Sequence, residues 1–260
     1  MAEIIRYANV DISYNGNVVV RDISLALEEG GILGIVGESG SGKSTLIRAA
    51  MGLLGPGGMV TRGDILFRGM DLPDFSEKER QKVNGSEIGM VFQYAGASFC
   101  PIRKVGDLLY ESMTEHEKIT RRDFEDKAMD LLLKLGFDDG RLILEKYPFE
   151  LSGGQQQRVG IAAAMLLEPA LLLADEPTSA LDVSVQKQVV DQLLFLRETF
   201  GTSVIIVTHN IGVVRYMADH VLVMKDGRAV EYGTAEQILD NPQDEYTKTL
   251  MAAVPRLWRD

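Results

Sequence analysis

A glycine-rich segment at residues 37–45 constrains the fold of this chain more than any other feature of its sequence. The segment follows an apolar run at residues 32–36 and precedes a helix-like run at residues 46–51. It matches the pattern G-x-x-x-x-G-K-[S/T] of a phosphate-binding loop. Glycines let the backbone wrap closely, so that its N–H groups point at phosphate oxygens, and the start of the following helix adds partial positive charge. The segment therefore predicts a strand, a loop and a helix that together bind the phosphates of a nucleotide.

Two side chains of this loop carry the expected chemistry. Lys43 is expected to reach the β- and γ-phosphates, and the hydroxyl of Ser44 to ligate magnesium. The loop residues predicted to bind the nucleotide are Gly37, Ser39, Gly40, Ser41, Gly42, Lys43, Ser44 and Thr45. The alternative is a glycine-rich turn with a purely structural role, which the strand and helix patterns on either side disfavour.

Further apolar runs set the fold class. Residues 171–174 and 204–207 are apolar at every position, which is typical of strands buried on both faces of a parallel sheet. Helix-like stretches at residues 123–135 and 183–200 alternate with these runs. Such alternation predicts an α/β fold in which helices cover a mostly parallel sheet.

Two segments depart from this pattern. Residues 4–27 alternate in polarity around the turn Asn15-Gly16-Asn17, which predicts an antiparallel β layer, and the turn at residues 225–227 predicts a second hairpin. The charged stretch at residues 101–150 is expected to be mostly helical and to form a separate lobe. The predicted organisation is a single domain with a core at about residues 1–95 and 156–240, a helical subdomain at about 96–155, and a C-terminal tail at 241–260.

Charge and cysteine content limit the possible functions. The formal net charge of −11 argues against a nucleic-acid-binding surface, which is usually basic. Cys100 is the only cysteine, so neither an internal disulfide nor a cysteine-held metal is expected, and a reduced, cytosolic setting fits. The N-terminus lacks the pattern of a signal peptide, and apolar runs such as residues 161–167 fall short of the roughly 20 residues that span a bilayer. If the protein acts at a membrane, we expect another chain to supply the membrane-spanning part.

Two acidic residues end the apolar run at residues 171–174. Ligands of open α/β sheets bind beyond the carboxyl ends of the strands, which places Asp175 near the metal of a nucleotide. Magnesium prefers oxygen ligands, and Asp175 can act directly or through a water molecule. Glu176 is predicted to polarise the water that attacks the γ-phosphate. The alternative is a solvated acidic pair that opens a turn, because Pro177 follows directly.

A second anion-binding element is predicted at residues 151–155, Leu-Ser-Gly-Gly-Gln. Ser152 and Gln155 have the spacing of a capping box at the start of a helix, and Gly153 and Gly154 expose backbone N–H groups. An ordinary helix start would need only the capping residues. One chain nevertheless carries two helix starts suited to anions, and the second has no evident use beside the first.

Together these motifs resemble those of the ABC ATPase family, and the resemblance covers almost the whole chain. Residues 37–45 resemble the Walker A motif, 171–176 the Walker B motif and 151–155 the signature motif. The resemblance implies a P-loop NTPase core with a mostly parallel sheet, an antiparallel β layer and a helical subdomain. It also implies that ATP and Mg²⁺ are the cofactors.

Three more motifs match the family in the expected order, and a fourth position, Tyr14, matches an aromatic residue of the family. Gln93 resembles the Q-loop glutamine that touches the metal and links the core to the helical lobe. Asp182, within residues 179–182, resembles the D-loop residue that couples two ATP sites. His209 resembles the switch histidine that contacts the γ-phosphate, and Tyr14 the aromatic residue that stacks on adenine. Gln93 could instead simply end a strand, and Tyr14 could be an edge-strand aromatic.

The resemblance also implies partners. Two such subunits sandwich two ATP molecules between the phosphate loop of one chain and the signature motif of the other, so a second ATPase subunit, identical or paralogous, is expected. Residues 36–42, 147–150 and 181–186, together with the tail pattern at 241–255, are most similar to ATPases of peptide and nickel importers. This similarity implies transmembrane permease subunits, an extracytoplasmic solute-binding protein, and a peripheral location at the cytoplasmic face of the cell membrane.

The sequence departs from that group at residues 94–101, where Cys100 stands in place of the usual asparagine. This stretch resembles the surface that meets the membrane subunit, so a divergent permease is possible. Longer members of the group carry a cysteine-rich segment where this sequence stops, at Asp260, and we therefore expect no iron–sulfur cluster. Two rival functions stay open: the ATPase component of a non-transport complex, such as a phosphonate-degrading one, and a scaffold that binds ATP without hydrolysing it.

Overall fold

The structure is a computed structural model that describes residues 2–179 and 181–252. Within these residues the strands are β1 Glu3–Tyr14, β2 Asn17–Glu28, β3 Ile32–Val36, β4 Gly58–Phe67, β5 Met70–Asp71, β6 Ile88–Val91, β7 Leu171–Asp175, β8 Ser203–Val207, β9 His220–Lys225 and β10 Arg228–Thr234. The α-helices are α1 Lys43–Ala50, α2 Glu77–Val83, α3 Ala95–Ser98, α4 Val105–Thr114, α5 Arg121–Lys134, α6 Gly140–Glu145, α7 Gly153–Met165, α8 Val183–Phe200, α9 Ile211–Met217, α10 Ala235–Asp240 and α11 Glu245–Ala252.

A six-stranded sheet in the order β10-β9-β3-β8-β7-β6 forms the centre of the molecule. Its strands from β9 to β6 run parallel, and β10 pairs antiparallel with β9 through the hairpin predicted at residues 225–227. Every residue of β3, β7 and β8 is buried, as expected for strands covered on both faces. The predicted α/β class is therefore confirmed.

Four adjacent strands of this sheet, in the order β3-β8-β7-β6, end at the same edge because they are parallel. Neighbouring strands lie about 4.8 Å apart, so the ends of β3 and β6 are separated by about 14 Å across the sheet. The segments that follow these four strands carry the phosphate loop, His209, Glu176 and Gln93, and Asp175 is the last residue of β7. One edge thus receives groups that are far apart in sequence.

A second, antiparallel sheet has the order β2-β1-β4-β5. Strands β1 and β2 are joined by Asn15 and Gly16, whose φ angles of 49° and 82° are those of a tight hairpin turn. The predicted antiparallel layer is confirmed. Strand β4, which pairs with the other edge of β1, was not predicted, because half of its residues are polar or glycine and much of it is exposed.

Apolar cores cover both faces of the six-stranded sheet. In β7, Leu171 and Leu173 pack with α1 and the antiparallel sheet, whereas Leu172 and Ala174 pack on the opposite side with α7 and α8. This alternation follows from the two-residue period of a strand. Helix α1, which carries the end of the phosphate loop, is therefore held between two sheets.

The helices α4, α5 and α6 pack on one another around Phe124, Leu109 and Leu144, which are buried in the same cluster as α7 and α8. Residues 101–150 are mostly helical, as predicted. The domain limits given above stay a prediction, and the last residues of the predicted tail, 253–260, lie outside the described residues. None of the helices in the described ranges is both long enough and apolar enough to cross a membrane.

Candidate nucleotide site

Two glycines shape the phosphate loop: Gly37 begins it, and Gly42 immediately precedes helix α1. Gly37 has a φ of 146° and Gly42 a φ of 96°, both in the region that favours glycine. A Cβ atom on Gly37 would lie 2.1 Å from the carbonyl oxygen of Met224 in β9, and one on Gly42 would lie 2.9 Å from Val20 in β2. The loop therefore passes too close to both strands for any side chain at these two positions.

Lys43, the first residue of α1, folds back over its own loop. Its Nζ atom donates to the carbonyl oxygens of Gly37 at 2.8 Å and Glu38 at 2.7 Å. Burial lowers the pKa of the Lys43 ammonium from its usual value, and the carboxylates of Glu176 and Asp175 oppose that shift. The ammonium group is thus fixed at the inner side of the loop, where a phosphate bound by the loop N–H groups would meet it.

Ser44 and Asp175 join the phosphate loop to the end of β7. The hydroxyl of Ser44 donates to Asp175 Oδ1 at 2.6 Å, and Arg48 Nη2 donates to Asp175 Oδ2 at 2.9 Å. Asp175 is 1% exposed, and its charge is paired with the guanidinium group of Arg48, whose side chain is partly exposed. A hydroxyl and a carboxylate in contact form an oxygen donor set of the type that Mg²⁺ prefers. The residues present therefore fit a magnesium ion.

Glu176 departs from the strand that delivers it. Its φ is 49°, in the left-handed region that non-glycine residues rarely adopt, and its N–H donates to Val207 of β8 at 2.8 Å. The Oε2 atom of Glu176 lies 2.8 Å from His209 Nδ1 and accepts from the Ser179 hydroxyl at 2.9 Å. Strain of this type is often found at functional sites, and here it accompanies a carboxylate held by two polar partners.

Gln93 lies two residues beyond the end of β6, beside the end of β7. The segment that carries it is tied to α7 by Gln157, a buried residue that is 4% exposed. Gln157 Nε2 donates to the carbonyl oxygen of Phe92 at 3.2 Å, and its Oε1 accepts from the N–H of Ala95 at 3.4 Å. The side-chain amide of Gln157 therefore connects the Gln93 loop to α7, the helix that begins within residues 151–155.

Tyr14 is the last residue of β1 and is half-buried. A Cβ atom on Gly58 would lie 2.7 Å from Tyr14 Cε1, so the ring packs on the backbone of β4. Strand β2, which pairs with β1, lies close to the phosphate loop, because its Val20 side chain is next to Gly42. The role of Tyr14 in stacking on adenine stays a prediction.

The predicted capping box at the start of α7 is present. The N–H of Gln155 donates to Ser152 Oγ at 3.3 Å, and the N–H of Ser152 donates to Gln155 Oε1 at 3.0 Å. Ser152 and Gly153 are exposed. Among the described residues, no hydrogen bond or ion pair links this helix start to the phosphate loop of the same chain. An exposed helix start with two glycines is available to an anion from outside the chain.

Asp182 begins α8 as its N-cap residue. Its Oδ1 atom accepts hydrogen bonds from the Ser184 hydroxyl at 2.6 Å and from the N–H of Val185 at 3.0 Å. These hydrogen bonds lower the pKa of the Asp182 carboxyl group, and the bond from Ser184 has the larger effect. The local role of Asp182 is therefore helix capping, and its role at a nucleotide stays a prediction. Ala180, within the predicted D-loop, lies outside the described residues.

Sequence reasoning missed three residues of this site: Arg48, Gln157 and Ser179. Arg48 had a detectable signal, because it follows Ser44 by four residues and such pairs share one face of a helix. Ser179 lies within the predicted D-loop, but the motif does not indicate its contact with Glu176. Nothing in the sequence indicated that Gln157, the third glutamine in a row, would turn towards Phe92.

The sequence of this chain matches the family described as ABC transporter over residues 20–179. It is 44% identical over 247 residues to the oligopeptide transport ATP-binding protein OppD of Bacillus subtilis, with 94% of this chain and 69% of that protein covered. It is 40% identical over 245 residues to the dipeptide transport ATP-binding protein DppD of Lactococcus lactis, with 94% of this chain and 70% of that protein covered.

The structure is similar to a solved one as well. That structure is described as a dimeric, post-hydrolysis state of the ATP-binding cassette MJ0796 bound to ADP and Pi. The similarity has a TM-score of 0.76 at 27% identity and covers 89% of this chain and 98% of that one.

Proposed function

The chain belongs to the ABC transporter family as an ATP-binding and ATP-hydrolysing subunit, and we propose that it energises the uptake of peptide-class solutes through a separate membrane permease. The observation that carries the hydrolytic part of this proposal is the contact of Glu176 with His209 beside the phosphate loop. The solute class rests on the relatives, whose names specify oligopeptide and dipeptide transport.

The mechanism assigns the acid–base chemistry to Glu176. Its carboxylate is 13% exposed and is oriented by His209 and Ser179, which leaves its other oxygen to accept a proton from water. Lys43 and the loop N–H groups would hold the β- and γ-phosphates in line with that water. His209 is 71% exposed and, beside Glu176, would contact the γ-phosphate.

Ser44 and Asp175 would hold Mg²⁺, with Gln93 as a further oxygen donor from the next strand. When bound, the ion neutralises charge on the β- and γ-phosphate oxygens. The oxygens of Asp175 accept hydrogen bonds from the Ser44 hydroxyl and from Arg48. The protein therefore presents a charged oxygen ligand at the position where the loop would place the phosphates.

A second ATPase subunit would complete the site. Ser152, Gly153 and Gly154 are accessible and, in the described part of the chain, are not bonded to the phosphate loop, which supports their use by a nucleotide bound to another subunit. The similar cassette of known structure is a dimer, in agreement with this arrangement. We further propose that an extracytoplasmic solute-binding protein delivers the peptide and that the subunit acts at the cytoplasmic face of the membrane.

The transport proposal is tested by deleting the gene in its host and measuring uptake of a radiolabelled tripeptide. We expect uptake to fall and to be restored by the wild-type gene but not by Glu176→Gln. The variant Glu198→Gln, which removes an exposed carboxylate of α8, should restore uptake fully. Normal tripeptide uptake in the deletion strain, with loss of growth on a phosphonate as the sole phosphorus source, would contradict transport and favour the phosphonate-degrading alternative.

A further inference from the structure

The C-terminal helix α11 contacts the phosphate loop through one side chain. The N–H of Glu38 donates to the hydroxyl oxygen of Tyr246 at 3.0 Å. The carbonyl of the same peptide group, that of Gly37, accepts from Lys43 Nζ at 2.8 Å. The Gly37–Glu38 peptide is therefore held at both ends, by α11 on one side and by the lysine of the loop on the other.

The orientation of this peptide depends on such contacts. Gly37 has no side chain and a φ of 146°, so its own conformational preferences leave the following peptide plane free to rotate. A rotation would turn the Gly37 carbonyl away from Lys43 and the Glu38 N–H away from Tyr246. The hydrogen bond from Glu38 to Tyr246 opposes that rotation. It holds the N–H end of the peptide, whereas Lys43 contacts the carbonyl end.

Tyr246 is itself firmly placed. Asp244 Oδ1 accepts from the N–H of Tyr246 at 2.8 Å at the start of α11, and the N–H of Asp244 donates to Glu231 of β10 at 3.2 Å. The ammonium group of Lys225, in β9, lies 4.8 Å from the centre of the Tyr246 ring. The hydroxyl is thus fixed to the β9–β10 hairpin, and it can serve as a rigid support for the loop.

We propose that Tyr246 is a positioning residue for ATP binding. By accepting the Glu38 N–H it fixes the Gly37–Glu38 peptide, and through the Gly37 carbonyl it fixes the ammonium group of Lys43 that meets the phosphates. The proposal rests on the proposed function, because only a nucleotide gives Lys43 a phosphate to bind.

The test uses Tyr246→Phe, which keeps the ring and its contact with Lys225 and removes only the hydroxyl. Tyr232→Phe is the matched control, since its hydroxyl donates to the Ala26 carbonyl at 2.7 Å, between β10 and β2. A typical intramolecular hydrogen bond contributes about 0.5–1.5 kcal/mol, or about 2- to 12-fold. We expect the Kd for MgATP to rise by that factor in Tyr246→Phe and to stay unchanged in Tyr232→Phe.

Kinetics separate positioning from a general loss of structure. We expect KM for ATP to rise with kcat nearly unchanged, because the bond is made equally in the ground state and the transition state. In a Lys43→Ala background, where Tyr246 has no ammonium group to position, Tyr246→Phe should cause no further loss of MgATP binding. Binding is measured there by thermal stabilisation with millimolar nucleotide.

Three outcomes are distinguishable. If Tyr246→Phe binds MgATP with wild-type affinity, the inference about Tyr246 is wrong, whereas ATP binding by the wild type and by Tyr232→Phe would still support the proposed function. An equal loss with and without Lys43 would also overturn it, because Tyr246 would then act by another route or through stability alone. Failure of both the wild type and Tyr232→Phe to bind MgATP would refute the proposed function itself.

Discussion

The Nδ1 atom of His209 lies 2.8 Å from the Oε2 atom of Glu176. The two residues follow adjacent parallel strands, β8 and β7, and the N–H of Glu176 extends the pairing of these strands by bonding to Val207. Sheet geometry therefore sets the distance between the proposed general base and the histidine. Both side chains are fixed relative to the phosphate loop, which follows β3 on the other side of β8.

Glu176→Gln should nearly abolish ATP hydrolysis and retain ATP binding. Glutamine keeps the size of the side chain and a hydrogen-bonding oxygen but cannot take a proton from water. Loss of a general base typically costs about 10²- to 10⁴-fold in rate. Phosphate release at saturating MgATP measures the effect, with Glu198→Gln as a control that removes an exposed carboxylate of α8. Turnover close to that of the wild type would exclude Glu176 as the base.

The same variant should accumulate as a dimer. If two chains enclose two ATP molecules, blocked hydrolysis leaves the closed pair intact, and size-exclusion chromatography with MgATP should show a shift from monomer to dimer that ADP does not cause. Adding Ser152→Arg should abolish the shift, because a bulky cation would block the exposed start of α7. The experiment is repeated with a paralogous subunit if the homodimer is weak. A monomer that hydrolyses ATP regardless of both substitutions would contradict the shared site.

Lys43→Ala should weaken nucleotide binding. A charge-assisted hydrogen bond contributes about 1.5–3 kcal/mol, which corresponds to about 10- to 150-fold in the Kd for MgATP. Calorimetric titration with MgATP measures the change, and Lys248→Ala, which removes an exposed lysine of α11, serves as the control. Unchanged affinity in Lys43→Ala would refute the assignment of the phosphate loop.

Ser44→Ala and Asp175→Asn should each raise the Mg²⁺ concentration needed for half-maximal ATP hydrolysis. Residues that support a metal site typically contribute about 10- to 100-fold to metal affinity, and a similar change is expected here. Chelation of Mg²⁺ should stop turnover in the wild type. Thr61→Ala removes a hydroxyl from β4 and should leave the Mg²⁺ requirement unchanged. If both site variants kept the wild-type requirement, the proposed magnesium site would be wrong.

Gln157→Ala should destabilise the fold. The substitution leaves the buried N–H of Ala95 and the carbonyl of Phe92 without their partner, which costs about 1–3 kcal/mol in the free energy of unfolding. Urea unfolding monitored by circular dichroism measures the loss. Gln188→Ala shortens an exposed glutamine of α8 and should change stability little. Equal stability of the two variants would show that Gln157 does not hold the loop that carries Gln93.

The strands and helices that could be predicted have strong local patterns. The run Ile32–Val36 became β3, and the helix predicted at residues 183–200 became α8, because continuous burial or helical periodicity determines such segments locally. The hairpin turn at Asn15 and Gly16 was predictable for the same reason. Strand β4 was not, since its stability comes from pairing with β1, more than 40 residues earlier in the chain, rather than from its own composition.

The residues of the candidate site also fall into those that the sequence predicts and those that it does not. Lys43, Ser44 and Asp175 could be predicted because each lies in a motif whose spacing reflects contact with phosphate or metal. The neutralisation of Asp175 by Arg48 and the contact of Tyr246 with Glu38 could not, because they depend on how elements distant in sequence pack together. A sequence therefore indicates which groups act, and the packing determines what holds them in place.

The position of β8 in the sheet has a consequence for synthesis of the protein. Strand β8 lies between β3 and β7 but follows both of them in the chain, so no sheet joins the phosphate loop to Asp175 until Val207 has left the ribosome. Before that point no continuous sheet supports the 2.6 Å contact of Ser44 with Asp175. We therefore expect the nucleotide site to be assembled late in synthesis, after β8 has joined the two halves of the sheet.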